Sequence, residues 1–120
     1  MTRDDRKRLD DIAIACVAVR NHLARGDMSD GLIFDAVRMR LVEIGEAAKS
    51  ISAELLATEP DIPWTDVIRM RDLLAHHYFD TVHSIVEQTA TKDLIELQAA
   101  VDRIIARVSQ RPAAKSNRRR

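Results

Sequence analysis

Aromatic residues are almost missing from this 120-residue chain: one Trp, one Tyr and two Phe make up 3% of it. Glycine and proline are as scarce, at three each. So little aromatic and turn-forming material argues against a β-sandwich and for packed helices. The single cysteine, Cys16, excludes an intrachain disulfide and a thiolate zinc site; it lies on an apolar helical stripe and reads as core. No apolar run approaches the ~20 residues a spanning helix needs. The N-terminal run Thr-Arg-Asp-Asp-Arg-Lys-Arg is unlike a signal peptide, so a cytoplasmic chain is expected. There is no Gly-rich phosphate loop, and hence no expectation of ATP use in the manner of a P-loop enzyme. No Glu is followed three residues later by His, the pair a di-metal helical bundle requires. Neither a metal nor a cofactor is expected.

What is present is a good supply of core. Apolar residues are 46% of the chain, enough for one domain with one core at this length. Net charge is zero but unevenly spread, with an excess of five acidic charges over residues 1–110 and five basic charges over 111–120. The expected organisation is a helical domain over 1–110 and a basic, disordered tail over 111–120, where Pro112 stands and apolar periodicity is lost.

Apolar spacing places the helices. The first is expected from Asp4 or Asp5 to about Ala24, on Leu9, Ile12, Cys16, Val19 and Leu23, with Gly26 as its stop. The second is expected from a Ser29 cap to about Leu56, on a stripe from Ile33 to Leu55. On its other side a second stripe begins at Ala36 and Met39 and turns acidic at Glu43 and Glu46. Gly45, between those glutamates, costs about 1 kcal/mol against Ala in a helix, and a close helix crossing is the simplest account of it. Pro60 and Pro63 hold a loop. A third helix starts near Trp64 and ends at about Phe79. A fourth is expected over Thr81 to Thr91, with a break at Lys92 and Asp93, and a last one runs through Leu94, Leu97, Val101, Ile104 and Val108. Four to five helices in a partly antiparallel, all-α bundle are therefore expected, and the surplus apolar stripes suggest a twofold homodimer. His22 reads as a surface group, and His83 has no evident partner in sequence.

The chemistry concentrates in Arg71-Asp-Leu-Leu-Ala-His76-His77-Tyr78. Trp64, Val67, Ile68, Arg71, Leu74, Ala75 and Tyr78 project onto one helical face. A guanidinium on such a face needs a partner or a wet cleft. A fixed cation binds phosphate and an imidazole moves protons near neutral pH; Asp72 stands one turn before His76. Together they form a plausible phosphate-ester site. Arg71 and His76 are five residues apart, about 140° around an ideal helix. They meet only if the helix end unwinds or a second chain completes the site. The plain structural alternative is an Arg that snorkels outward and histidines that line a helix end.

The order Arg71, four residues, His76, one residue, Tyr78 resembles the signature of HepT-like proteins in the HEPN superfamily of all-helical RNases and nucleotide-binding domains. The stretch Val37-Arg-Met-Arg-Leu-Val-Glu-Ile-Gly-Glu-Ala-Ala-Lys49 is also similar to that family. Asp72, where many relatives carry Asn, and the doubled histidine depart from the pattern; the spacing to Tyr78 favours His76 over His77 as the acting imidazole.

The resemblance implies an HEPN-like bundle forming a twofold homodimer with the motif at its cleft. It implies the toxin of a type VII toxin–antitoxin system, acting as a metal-independent endoribonuclease through 2′-hydroxyl attack. Arg71 and His76 would be catalytic, with Asp72 and His77 in support. A MntA-like nucleotidyltransferase antitoxin, using ATP and magnesium itself, would neutralise the toxin by attaching AMP to Tyr78. The alternative is a non-catalytic nucleotide- or RNA-binding module that partners a nucleotidyltransferase. A third reading is a structural dimer in which Arg71 and Asp72 form interface ion pairs.

Overall fold

The computed structural model describes residues 2–76 and 79–118, and their side chains except those of residues 76, 79–81 and 110–118. His77 and Tyr78, and the side chain of His76, lie outside the described residues. Among the described residues the chain is all-helical, with no strand: α1 (Arg3–Arg25), α2 (Gly31–Lys49), α3 (Ala53–Leu56), α4 (Trp64–His76), α5 (Phe79–Gln88), a π-helical turn (Thr89–Asp93) and α6 (Leu94–Arg118).

Helix α1 begins one to two residues earlier than expected because Thr2 caps it. The Thr2 hydroxyl accepts from the Asp5 backbone N–H at 3.0 Å, and Asp5 accepts from the Thr2 N–H at 3.3 Å. The cap of α2 is Asp30, which accepts from Leu32 N–H at 2.9 Å, and not the expected Ser29. Ser29 is held instead by Asp27, whose carboxylate accepts from its backbone N–H at 2.9 Å and from its hydroxyl. That local turn takes Ser29 out of the capping position.

Helix α2 ends at Lys49, seven residues before the expected end, and the remainder is a separate turn, α3. The break has a tertiary cause. Asp5 of α1, only 3% exposed, accepts from the Ser52 N–H at 3.0 Å and the Ser52 hydroxyl at 3.1 Å. A donor that would have continued the helical ladder is thereby committed to another helix. Burial works against the charge on Asp5, but the bonds from Ser52 and Thr2 outweigh it and hold the carboxyl below its usual range.

The expected break at Lys92–Asp93 is present as the π-helical turn. Helix α6 continues to Arg118, past the helix end expected before Pro112.

The packing is antiparallel along α1–α2, α2–α4 and α1–α6. Arg38 on α2 meets Leu74 while Gly45 meets Val67 and Arg71, and Arg6 meets Ser109 while Arg20 meets Gln98. The core joins Leu9, Ile12, Cys16 and Val19 to Val37, Leu41 and Ile44 and to Val101 and Ile104, all fully buried. Cys16 is in that core, and burial pushes its thiol up to about 12. Ile14, Met39 and Ile95 remain exposed on the outside.

Candidate functional site

Both ends of α4 are anchored, which fixes where its motif stands. At the start, the Trp64 indole donates to the carbonyl of Glu59 at 3.0 Å. Glu59 is itself buried, and its carboxylate accepts from Arg103 at 2.7 Å and from Arg107 at 2.9 Å, both on α6. The Arg103 hydrogen bond, helped by Arg107, holds the Glu59 carboxyl below its usual range against the cost of burial.

Midway along, Met70 and Leu74 are buried and Gly45 of α2 lies against the α4 backbone. A Cβ at Gly45 would sit 3.1 Å from both the Arg71 nitrogen and the Val67 carbonyl oxygen. The expected crossing at Gly45 is therefore real, and it is a crossing over the start of the motif. At the far end, Arg38 of α2 donates to the Leu74 carbonyl at 3.2 Å. That carbonyl belongs to the last turn of α4, where helical oxygens lack partners within the helix.

This frame puts Arg71 beside Glu46, with Nε 3.2 Å from Oε1 and both side chains about half exposed, at 52% and 51%. Arg71 thus has both things its position demanded, an acidic partner and access to solvent. Glu43 does not reach it, being paired with Arg40 at 3.0 Å. Both glutamates line a groove of about 430 Å³ between α1 and α2, with Arg8, Asp11, Ile14 and Val42. Asp72 is exposed on α4. The backbone stays helical through His76, so Arg71 and His76 leave the axis about 140° apart and Asp72 and His76 stand one turn apart.

A larger cavity, about 810 Å³, opens elsewhere between the start of α2 and α5, lined by Phe34, Asp35, His83 and Glu87 among others. Among the described residues that line it, neither Arg71 nor Asp72 occurs. His83, without an evident partner in sequence, stacks on Phe34 with ring centroids 4.9 Å apart and planes 6° from parallel.

Comparison with known proteins matches the model of a family described as ribonuclease HepT-like to residues 10–104. The chain belongs to the HepT-like family. A relative from Thermococcus cleftensis, named as a probable ribonuclease HepT, is 28% identical over 108 residues, covering 87% of this chain and 98% of the relative. A relative from Caldanaerobacter subterraneus subsp. tengcongensis, named as a proposed RNase, is 32% identical over 78 residues, 65% of this chain and 70% of its own. One from Methanocaldococcus jannaschii, also named as a proposed RNase, is 36% identical over 70 residues, 58% of this chain and 60% of its own. No solved structure gives a significant match.

The HepT-like match takes in α1 from residue 10 onward, the α2–α4 crossing and the whole Arg71–Tyr78 run. Sequence reasoning identified the run and the crossing but gave no role to Arg38. Its signal was there: Arg38 precedes Gly45 by seven residues, two helical turns, and so lies on the face that meets α4.

Proposed function

We propose that this HepT-like chain is a metal-independent endoribonuclease acting as the toxin of a type VII toxin–antitoxin pair. The observation that carries the reading is the order Arg71, four residues, His76, one residue, Tyr78, within a HepT-like match spanning residues 10–104, with the Arg71 side chain half exposed on α4. The ribose 2′-hydroxyl attacks the adjacent phosphorus and the bond to the 5′ oxygen breaks. The products are a 2′,3′-cyclic phosphate and a 5′-hydroxyl. His76 serves as general base or acid, Arg71 binds the phosphate and stabilises its growing charge, and Asp72 orients the imidazole. Nucleophile and leaving group both belong to the RNA, so the chemistry calls for no cofactor.

Because α4 holds Arg71 and His76 about 140° apart, one chain presents half a cleft. A twofold homodimer with α4 at its axis completes it, each copy supplying what the other lacks. A MntA-like nucleotidyltransferase, with its own ATP and magnesium, transfers AMP to the Tyr78 oxygen and releases pyrophosphate. The added negative charge and bulk next to Arg71 then close the cleft. The rival reading, a nucleotide- or RNA-binding module, draws on the same intrachain separation, which suits ground-state binding as well as catalysis.

The test is cleavage of end-labelled RNA by purified chain in excess EDTA, beside His76→Ala at matched folding. Wild type should cut to cyclic phosphate ends, and the variant should lose about 10²–10⁴-fold in rate with RNA binding kept. Unmodified wild type that binds RNA without cutting it would favour the binding module. For the partner, intact-mass and peptide analysis after co-expression should place AMP on Tyr78; AMP at any other residue refutes that assignment.

A further inference from the structure

We infer that Glu46 is a positioning residue for Arg71, an inference that rests on the nuclease reading. The carboxylate meets the guanidinium on its inner side, at Nε, 3.2 Å away. Phosphate is gripped in a forked pair through the two outer nitrogens, so a carboxylate contact at Nε is compatible with phosphate binding by the same guanidinium. Neither group is there by accident of a floppy surface. Gly45, the residue before Glu46, brings the α2 backbone against the Arg71 nitrogen itself, so the two side chains spring from points held in contact. Glu43, one turn earlier on the same helix, is occupied by Arg40 and leaves Glu46 as the carboxylate for Arg71.

The pair is a poor candidate for a stability device. Both partners are half exposed, and exposed ion pairs contribute little to folding. A carboxylate there also carries a cost for an RNA-binding surface, since it repels the backbone it faces. Its use is to reduce the many rotamers of a free arginine to the few that present the outer edge to phosphate.

The experiment compares Glu46→Ala and Glu46→Gln with wild type, each alone and combined with Arg71→Lys. Measured are kcat on a defined RNA, Kd for its uncleavable 2′-O-methyl analogue, and thermal unfolding. Glu46→Ala should lower kcat about tenfold or more while the analogue's Kd stays within about threefold, because mispositioning costs rate before affinity. Glu46→Gln, which keeps an oxygen facing Nε, should recover most of that loss. With Arg71→Lys in place, Glu46→Ala should add no further loss, since its effect runs through the guanidinium. Unfolding temperatures should match. Glu46→Ala cutting as fast as wild type, or faster, overturns the inference, and so does an equal loss in the Arg71→Lys background. Wild type that cuts nothing sinks the nuclease reading on its own. The pairing is then judged by the Arg71 Nε–Hε NMR resonance, and a resonance that Glu46→Ala does not move overturns the positioning as well.

Discussion

Replacing Gly45 by Ala tests whether α2 and α4 are as close as the site requires. In a free helix the change is favourable by about 1 kcal/mol, because glycine has more backbone freedom to lose. Here the new methyl would lie 3.1 Å from the Arg71 nitrogen and from the Val67 oxygen, and 3.5 Å from the Ile68 oxygen. Those neighbours are backbone atoms of a packed helix and cannot rotate away as a side chain would. The helices must part by a few tenths of an ångström, and overpacking of this kind costs about 1–3 kcal/mol. The two effects oppose each other, leaving a net destabilisation of up to about 2 kcal/mol, or a fall in Tm of up to roughly 10 °C for a chain of this size. Thermal and denaturant unfolding followed by circular dichroism measure it. Gly45→Val, with a branched side chain at the same contact and no propensity gain to match alanine's, should fall further. A rise in Tm for Gly45→Ala would mean that propensity wins and that the crossing is looser than described. The idea that the crossing places Glu46 against Arg71 would fail with it.

Three other perturbations probe the frame. Asp5 is held below its usual carboxylate range in the folded chain, so its contribution to stability is present above about pH 4 and is lost as pH falls through the folded value; Asp5→Asn should unfold more easily than wild type at pH 7, the gap narrowing in acid, and a pH-independent gap would contradict this. Arg38→Ala removes the donor to the Leu74 carbonyl and should destabilise by about 1 kcal/mol, with faster hydrogen exchange in the last turn of α4; unchanged exchange there would refute the anchoring role. Cys16, fully buried with its thiol raised to about 12, should resist aromatic disulfide reagents at pH 8 in the native chain and react at once when unfolded; rapid native labelling would place it at the surface.

Much of this architecture is legible because the apolar stripes are long and regular. The stripes of α1, α2 and α6 are strong enough that the observed core follows them closely, from Leu9 and Ile12 to Val101 and Ile104. Gly45 was legible for a different reason: a glycine kept inside a helix, at a propensity cost, points to a neighbour that tolerates no Cβ. Ser29 and Asp30 are both good caps by residue type, and Asp27 decides between them by taking Ser29. The end of α2 was not readable from local sequence, since the apolar stripe continues through Ile51 and Leu55. What stops the helix is a carboxylate 47 residues earlier in the chain.

By itself the sequence determined that the chain folds as helices, where most of them lie, and that one eight-residue run carries an arginine, histidines and a tyrosine at family spacing. These properties follow from spacing along one strand of residues, which needs no knowledge of what packs on what. Only the tertiary structure decided which of two glutamates three residues apart meets Arg71, that Arg38 reaches over to the last turn of α4, and that His83 rests on Phe34. A side chain's partner depends on the rotation and separation of two packed helices, and here that geometry is set by one missing Cβ at Gly45.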